Sequence, residues 1–391
     1  MGRQTGVRGT TAGGAGGRRG LRAFVAREAT VPGRPSRLSL RAFVPPRAAP
    51  DPKKGGTRQA PASDTSPPKP QRRRTHRWRR ATLAALITAA VVAPLSAAAR
   101  PQIPAPPPAT LAPLTAATLD AAYKANRTNA AEASRMAAAH GDRKRAAADR
   151  AMATPTRHLL AYDGRGEGQA TEVFGDLATA TRIAVLIPGS DTSLDTYDRF
   201  RATAVALHDR LLRESPKGTR TAVVAWLGYQ TPGTISTTVL TTDRADQAAP
   251  HLREFITDLR RTAGRKADIS LLCHSYGTVV CARAAPGLDV QDIAFVGSPG
   301  TGTDTAAALH TRARIWAARG SDDWVEEVPH VRADLFGWTV GFGTDPVSPA
   351  FGARVFAAGP GGHSDYFRPG SVSLANLTRI VLGDTKEVTR A

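Results

Sequence analysis

Three segments far apart in the chain carry the residue types that nucleophilic acyl chemistry needs, and in an order that can be tested against the elements between them. Ser275 lies in Cys273-His-Ser-Tyr-Gly277, two aspartates lie in Gly320-Ser-Asp-Asp-Trp324, and His363 lies in Gly361-Gly-His-Ser-Asp-Tyr-Phe367. A serine hydroxyl is a weak nucleophile until an imidazole takes its proton, and the imidazole works best when a carboxylate fixes its tautomer and stabilises its charged form. The oxyanion that forms needs two backbone N–H donors. Tyr276, next after the serine, and Ser190 in Ile187-Pro-Gly-Ser190 are the expected donors, with Gly189 letting the backbone come close. Asp322 and Asp323 are adjacent, so in an extended segment only one of them can face the imidazole.

Other polar and aromatic residues have plainer readings. His274 is expected to be a packed or hydrogen-bonded structural histidine, because its side chain should point away from that of its neighbour Ser275. Asp365 and Tyr366 are read as braces of the histidine loop. Trp226, Trp316, Trp324 and Trp338 are read as core or cap packing rather than substrate stacking. His251, His310 and His330 are too scattered to suggest metal ligands, and no Cys/His spacing for zinc, P-loop or dinucleotide fingerprint is present, so no metal and no cofactor is expected. Cys273 and Cys281, the two cysteines of the chain, are read as small buried core residues rather than a disulfide.

The elements that must position these residues alternate strand and helix from about residue 154 onward, the pattern of an α/β sheet. An antiparallel hairpin is expected at one edge, from Arg157–Tyr162 and Gln169–Phe174. Strands are expected next at 182–188, 221–227, 268–273, 292–296, 314–318 and 353–357, with a helix after Asp191 to about 214 and helices over about 244–261, 303–310 and 372–382. Of these eight strands the fifth ends at Ser275, the seventh at the aspartate pair and the eighth before His363. That is the arrangement of the α/β hydrolase fold, in which a sharp strand-to-helix elbow presents the nucleophile, and the expected architecture is a mostly parallel eight-stranded sheet with helices on both faces. Residues Trp324 to Gly352, between the last two strands, are expected to form a small cap.

The run from about Arg157 to Gly383 resembles an actinobacterial α/β hydrolase family catalogued as a domain of unknown function. The matching pieces are Ile187-Pro-Gly-Ser190, Trp226-Leu-Gly-Tyr229, His274-Ser-Tyr-Gly277, Val296-Gly-Ser-Pro-Gly300, Gly343-Thr-Asp-Pro346 and Gly362-His-Ser-Asp-Tyr-Phe367. The resemblance implies a Ser-Asp-His hydrolase and no particular substrate, and it assigns the acid to Asp323, just before the tryptophan. The chain departs from the family at Cys273, where glycine is usual. The expected activity is hydrolysis of a small-molecule or lipid-like ester, and the alternative is a surface binding protein on a hydrolase scaffold that has lost its chemistry.

The N-terminal quarter is of another kind. Residues 1–100 hold 21 Lys+Arg against 3 Asp+Glu, a net of +18, and leave 32 against 30 for the other 291 residues. The high charge therefore does not belong to the catalytic part, and a nucleic-acid partner is not expected. Residues 1–71 read as disordered, basic and low in complexity. Residues 72–99 join a run of arginines to an uncharged apolar stretch ending in Ala97-Ala-Ala99, which reads as a signal peptide or a transmembrane anchor and implies a protein of the cell membrane or one released outside the cytoplasm. A Pro/Ala-rich linker (100–113) and an alanine-rich helical lead-in (114–153, broken near Gly141) precede the hydrolase domain, 154–384.

Overall fold

The computed structural model describes residues 103–234, 241–328, 333–335 and 338–391. The expected membrane or signal segment, 72–99, and the basic run before it lie outside the described residues. Among the described residues no helix is long and apolar enough to cross a membrane.

An eight-stranded sheet organises the described chain. Its strands are β1 (His158–Asp163), β2 (Gln169–Phe174), β3 (Arg182–Ile187), β4 (Thr221–Leu227), β5 (Asp268–His274), β6 (Asp292–Val296), β7 (Arg314–Ala318) and β10 (Arg354–Val355). They lie in the order β1-β2-β4-β3-β5-β6-β7-β10. The β1–β2 and β2–β4 pairs are antiparallel and the rest are parallel. The central strands β3 and β4 are near-continuous apolar runs because both their faces are covered. In β3, Ile183, Val185 and Ile187 face one half of the core and Ala184 and Leu186 the other. On the first side lie α4 (Asp243–Ala263) and α5 (Gly277–Ala284), and on the second α3 (Tyr197–Glu214) and α6 (Val372–Leu382). This is the α/β hydrolase fold, with a second small sheet, β8 (Ala333–Leu335) against β9 (Trp338–Val340), in the insertion between β7 and β10.

Two expected elements differ. The helix expected over 303–310 is a single 3-10 turn, Ala307–Leu309, closed by His310 in the left-handed region. Its alanines favour a helix, but the backbone before the turn is tied to the insertion instead, Thr301 N and Gly302 N donating to Phe342 O and Ala306 N to Phe351 O. The last strand is two residues long rather than five, and a bridge from Phe356 to Arg390 continues the pairing instead.

The alanine-rich lead-in forms α1 (Leu119–Ala139) and α2 (Arg143–Met152), parted at Gly141, whose φ of +91° suits glycine. Both pack on the sheet edge. Asn126 Nδ2 donates to Leu159 O (2.9 Å), and Arg127 donates to Arg157 O (2.7 Å). Arg145 is 1% exposed and donates to Asp195 Oδ1 (2.8 Å) and to the carbonyls of Gly164, Gly166 and Glu167. A guanidinium can be buried only when its donors are so fully matched. Next to it the Tyr162 hydroxyl donates to Asp149 Oδ1 (2.8 Å). Burial raises the Asp149 carboxyl to about 6, against the opposing pull of that hydrogen bond and of Arg145.

Candidate active site

Ser275 stands between the end of β5 and the start of α5, with φ of +54°. A non-glycine residue is rarely held there, and such strain persists only where the surroundings dictate it. They do so through close packing. A Cβ on Gly277 would come within 2.5 Å of Pro188 O and 2.6 Å of Ile187 O, so only glycine lets α5 run this close to the end of β3.

The structure brings the three expected residues into one hydrogen-bonded chain. His363 Nε2 lies 2.9 Å from Ser275 Oγ, and His363 Nδ1 lies 2.9 and 3.1 Å from the two oxygens of Asp323. With Nδ1 protonated and donating to the carboxylate, Nε2 is left to accept the serine proton. Asp323 is 2% exposed, whereas Asp322 is exposed and its Oδ1 accepts from the Ser321 hydroxyl. Asp345, a more distant carboxylate of the insertion, is engaged with Arg319 and Val347 N. Burial pushes the Asp323 carboxyl up, but hydrogen bonds from His363, Tyr366 and Val325 N outweigh it and hold the group below the usual carboxylate range.

Tyr366 does more than brace a loop. Its hydroxyl donates to Asp323 Oδ2 and accepts from Gly320 N (3.0 Å), which ties the acid to the histidine loop. Asp365 closes that loop by accepting from Gly362 N (2.9 Å). Gly297, at φ +58°, has no room for a side chain, since a Cβ would meet Tyr366, Asp323 and His363 within 2.9–3.2 Å. The sequence marked Tyr366 as a brace of the histidine loop but not its hold on Asp323, and gave Gly297 no role, because each acts on residues of another segment.

His274 fits its structural reading. Its Nε2 donates to His363 O (2.6 Å), and its ring lies 4.8 Å from that of His363. Desolvation, then the neighbouring His363, lowers it to about 4, so it stays neutral near pH 7.

The two expected oxyanion donors border the same cavity as Ser275 and His363. Ser275 N is committed to Val296 O and Asp191 N to Pro232 O, but among the described residues no acceptor takes the amides of Ser190 or Tyr276. Tyr276 is fixed from its far end, where its hydroxyl donates to Thr241 O and accepts from Ala245 N. Gly189 passes so near Ser275 that a Cβ would lie 2.5 Å from Ser275 Cβ. The cavity measures about 550 Å³ and is walled mainly by apolar residues, among them Phe200, Val325, Phe342 and Phe367. Among the described residues no cluster of His, Cys, Asp or Glu could hold a metal ion.

The reading of the cysteines is corrected. Cys273 and Cys281 form a disulfide, their Cα atoms 6.5 Å apart, with Ser275 inside the loop it closes. The elbow causes this by turning the chain back so that the second turn of α5 faces the end of β5. Both residues are buried, as expected, but paired. Trp324 departs from its expected role as well, for it is 53% exposed.

Residues 163–333 match a family model described as alpha/beta hydrolase. Uncharacterized protein Rv2079 of Mycobacterium tuberculosis is 30% identical over 261 residues, which cover 58% of this chain and 39% of that relative. Uncharacterized protein Mb0988c of Mycobacterium bovis is 30% identical over 178 residues, 42% of this chain and 66% of the relative. The chain thus spans well under half the length of the first of these. Among solved structures, XC6422 from Xanthomonas campestris, an a/b serine hydrolase without lid, is 18% identical with a TM-score of 0.36, over 60% of this chain and 95% of its own. Esterase PE8 is likewise 18% identical, with a TM-score of 0.37, over 55% of this chain and 97% of its own.

Proposed function

We propose that this chain is a serine hydrolase of carboxylic esters that works through an acyl-enzyme. The observation that carries the reading is the unbroken hydrogen-bond path from Ser275 Oγ through the His363 ring to Asp323, at an elbow whose serine is held at positive φ. In the first half-reaction Oγ attacks the ester carbonyl as His363 Nε2 takes its proton, and the amides of Ser190 and Tyr276 receive the oxyanion. His363 then gives that proton to the departing alcohol oxygen. In the second half a water, deprotonated by the same nitrogen, attacks the acyl carbonyl, and the proton returns to Ser275 as the acid leaves. Asp323 keeps the imidazole in one tautomer throughout and stabilises its charged form.

The reading extends to location: an exported or membrane-anchored enzyme, held or directed by residues 72–99. The Cys273–Cys281 disulfide supports it, since disulfides persist in oxidising compartments and are rare in the cytosol.

A fluorophosphonate probe tests the chemistry. The wild type should become covalently labelled, with the adduct on Ser275, and Ser275→Ala should lose both label and ester turnover while keeping its melting temperature. Turnover by Ser275→Ala near that of wild type would sink the reading, and a folded wild type that neither labels nor turns over esters would favour a binding protein on this scaffold.

A further inference from the structure

We propose that Trp324 forms the binding platform for the alcohol half of the ester, and that this enzyme takes alcohols presenting a flat apolar face, an aromatic ring or the C–H face of a sugar. The inference rests on the serine-hydrolase reading, because that chemistry fixes where the alcohol must be. The leaving oxygen collects its proton from His363 Nε2, so the group attached to that oxygen leaves past the His363 ring.

Among the described residues, two aromatic rings neighbour that imidazole within 5 Å between centroids. His274, at 4.8 Å, is half-buried and hydrogen-bonded to His363 O. Trp324, at 4.7 Å and tilted by 47°, borders the cavity and is 53% exposed. Its sequence neighbours Asp323 and Val325 are 2% and 1% exposed, so the backbone here is anchored and the indole alone stands out. Asp323 Oδ1 accepts from Val325 N (2.9 Å) and caps the 3-10 turn Trp324–Glu327, so the residue that orients His363 also fixes the base of the tryptophan. Among the described residues the indole N–H has no acceptor, which leaves one donor at the rim for a polar atom of the alcohol. The other large exposed hydrophobics of the described chain, Leu212 and Val372, do not border the cavity. A half-exposed indole beside the base forgoes about half of the stabilisation its burial would bring, and a stacked leaving group restores part of it.

Esters that share an acyl group share the acyl-enzyme, so a residue on the alcohol side acts on acylation alone. The test compares kcat/KM for the octanoate esters of benzyl alcohol, of the glucose 6-hydroxyl and of ethanol, since benzyl alcohol and ethanol are of similar acidity and differ chiefly in the flat face. In Trp324→Leu, the ratio of benzyl to ethyl should fall roughly three- to tenfold, the range that an aromatic pair provides. Trp324→Phe should keep it within about twofold. Deacylation, measured as the slow phase after an octanoyl burst, should be the same in wild type and both variants. If the glucose ratio falls with the benzyl ratio, the sugar face is also recognised, and if only the benzyl ratio falls the platform is for aromatic alcohols. Equal loss for all three esters, or a changed deacylation rate, would overturn the proposal and make Trp324 a support for His363. Fluorophosphonate labelling of each variant separates the two levels. Labelled protein with an unchanged ratio sinks the platform alone, whereas an unlabelled, inactive wild type sinks the serine-hydrolase reading and this one with it.

Discussion

Asp322 and Asp323 show how sharply one step along the backbone divides two identical side chains. Asp323 is buried against His363, Tyr366 and Val325 N, whereas Asp322 is exposed, so Asp323→Asn removes the partner that sets the imidazole tautomer and Asp322→Asn removes little. Turnover should fall by several orders of magnitude in Asp323→Asn, on the order of ten thousand-fold in the protease precedent, and by no more than a few-fold in Asp322→Asn. The reverse ranking in steady-state kinetics would reassign the acid. Tyr366→Phe strips one donor from the same carboxylate but leaves His363 in place, so it should lower kcat about tenfold with little change in KM. A wild-type kcat would show that the hydroxyl serves only packing. At this scale the sequence was legible where the meeting of residues follows from chain order. Ser275, Asp323 and His363 each stand at a strand's C-terminal end, and strand order could be counted. The hold of Tyr366 on Asp323 and the place of Gly297 were not, because they come from distances across three loops that no local pattern encodes.

Among the elements that could be read were the strands with two covered faces. β3 and β4 are nearly unbroken apolar runs, and burial in a parallel sheet demands that. The stretch from 303 to 310 and the last strand were overextended because propensity says what a segment tolerates and tertiary spacing decides how much of it is used. The lead-in helices were legible as helices, but not for the polar network that docks them, since the composition of α2 gives no hint that Arg145 is buried and Arg143 is not. That network carries a pH signature. Asp149 titrates near 6 in the folded state, above the ordinary carboxylate value, so between about 4 and 6 the folded chain keeps a proton that the unfolded chain releases. The stabilisation is therefore complete at low pH and lost as pH rises through about 6. Asp149→Asn still accepts from Tyr162 and cannot ionise. Relative to wild type it should gain on the order of 2 kcal/mol between pH 4.5 and pH 7.5 in urea unfolding. A difference that stays constant across that window would show that Asp149 ionises freely where it lies.

For the whole molecule, charge and chemistry occupy separate stretches of chain: +18 in the first hundred residues and +2 in the rest. If residues 72–99 act as an export signal or anchor, protease added to intact cells should reach the folded part, and finding that part only in the cytoplasm would refute it. The disulfide was the feature least legible at any scale, because two cysteines eight positions apart say nothing until the elbow folds the chain back on itself. It also means that the environment in which the protein is produced decides what molecule is obtained. Material from a reducing host would carry two thiols flanking the nucleophile, and material from an oxidising one a closed ring around it. Two preparations of identical sequence and mass, apart from two hydrogens, could then differ in specific activity, and thiol titration under denaturing conditions is the measurement that tells them apart.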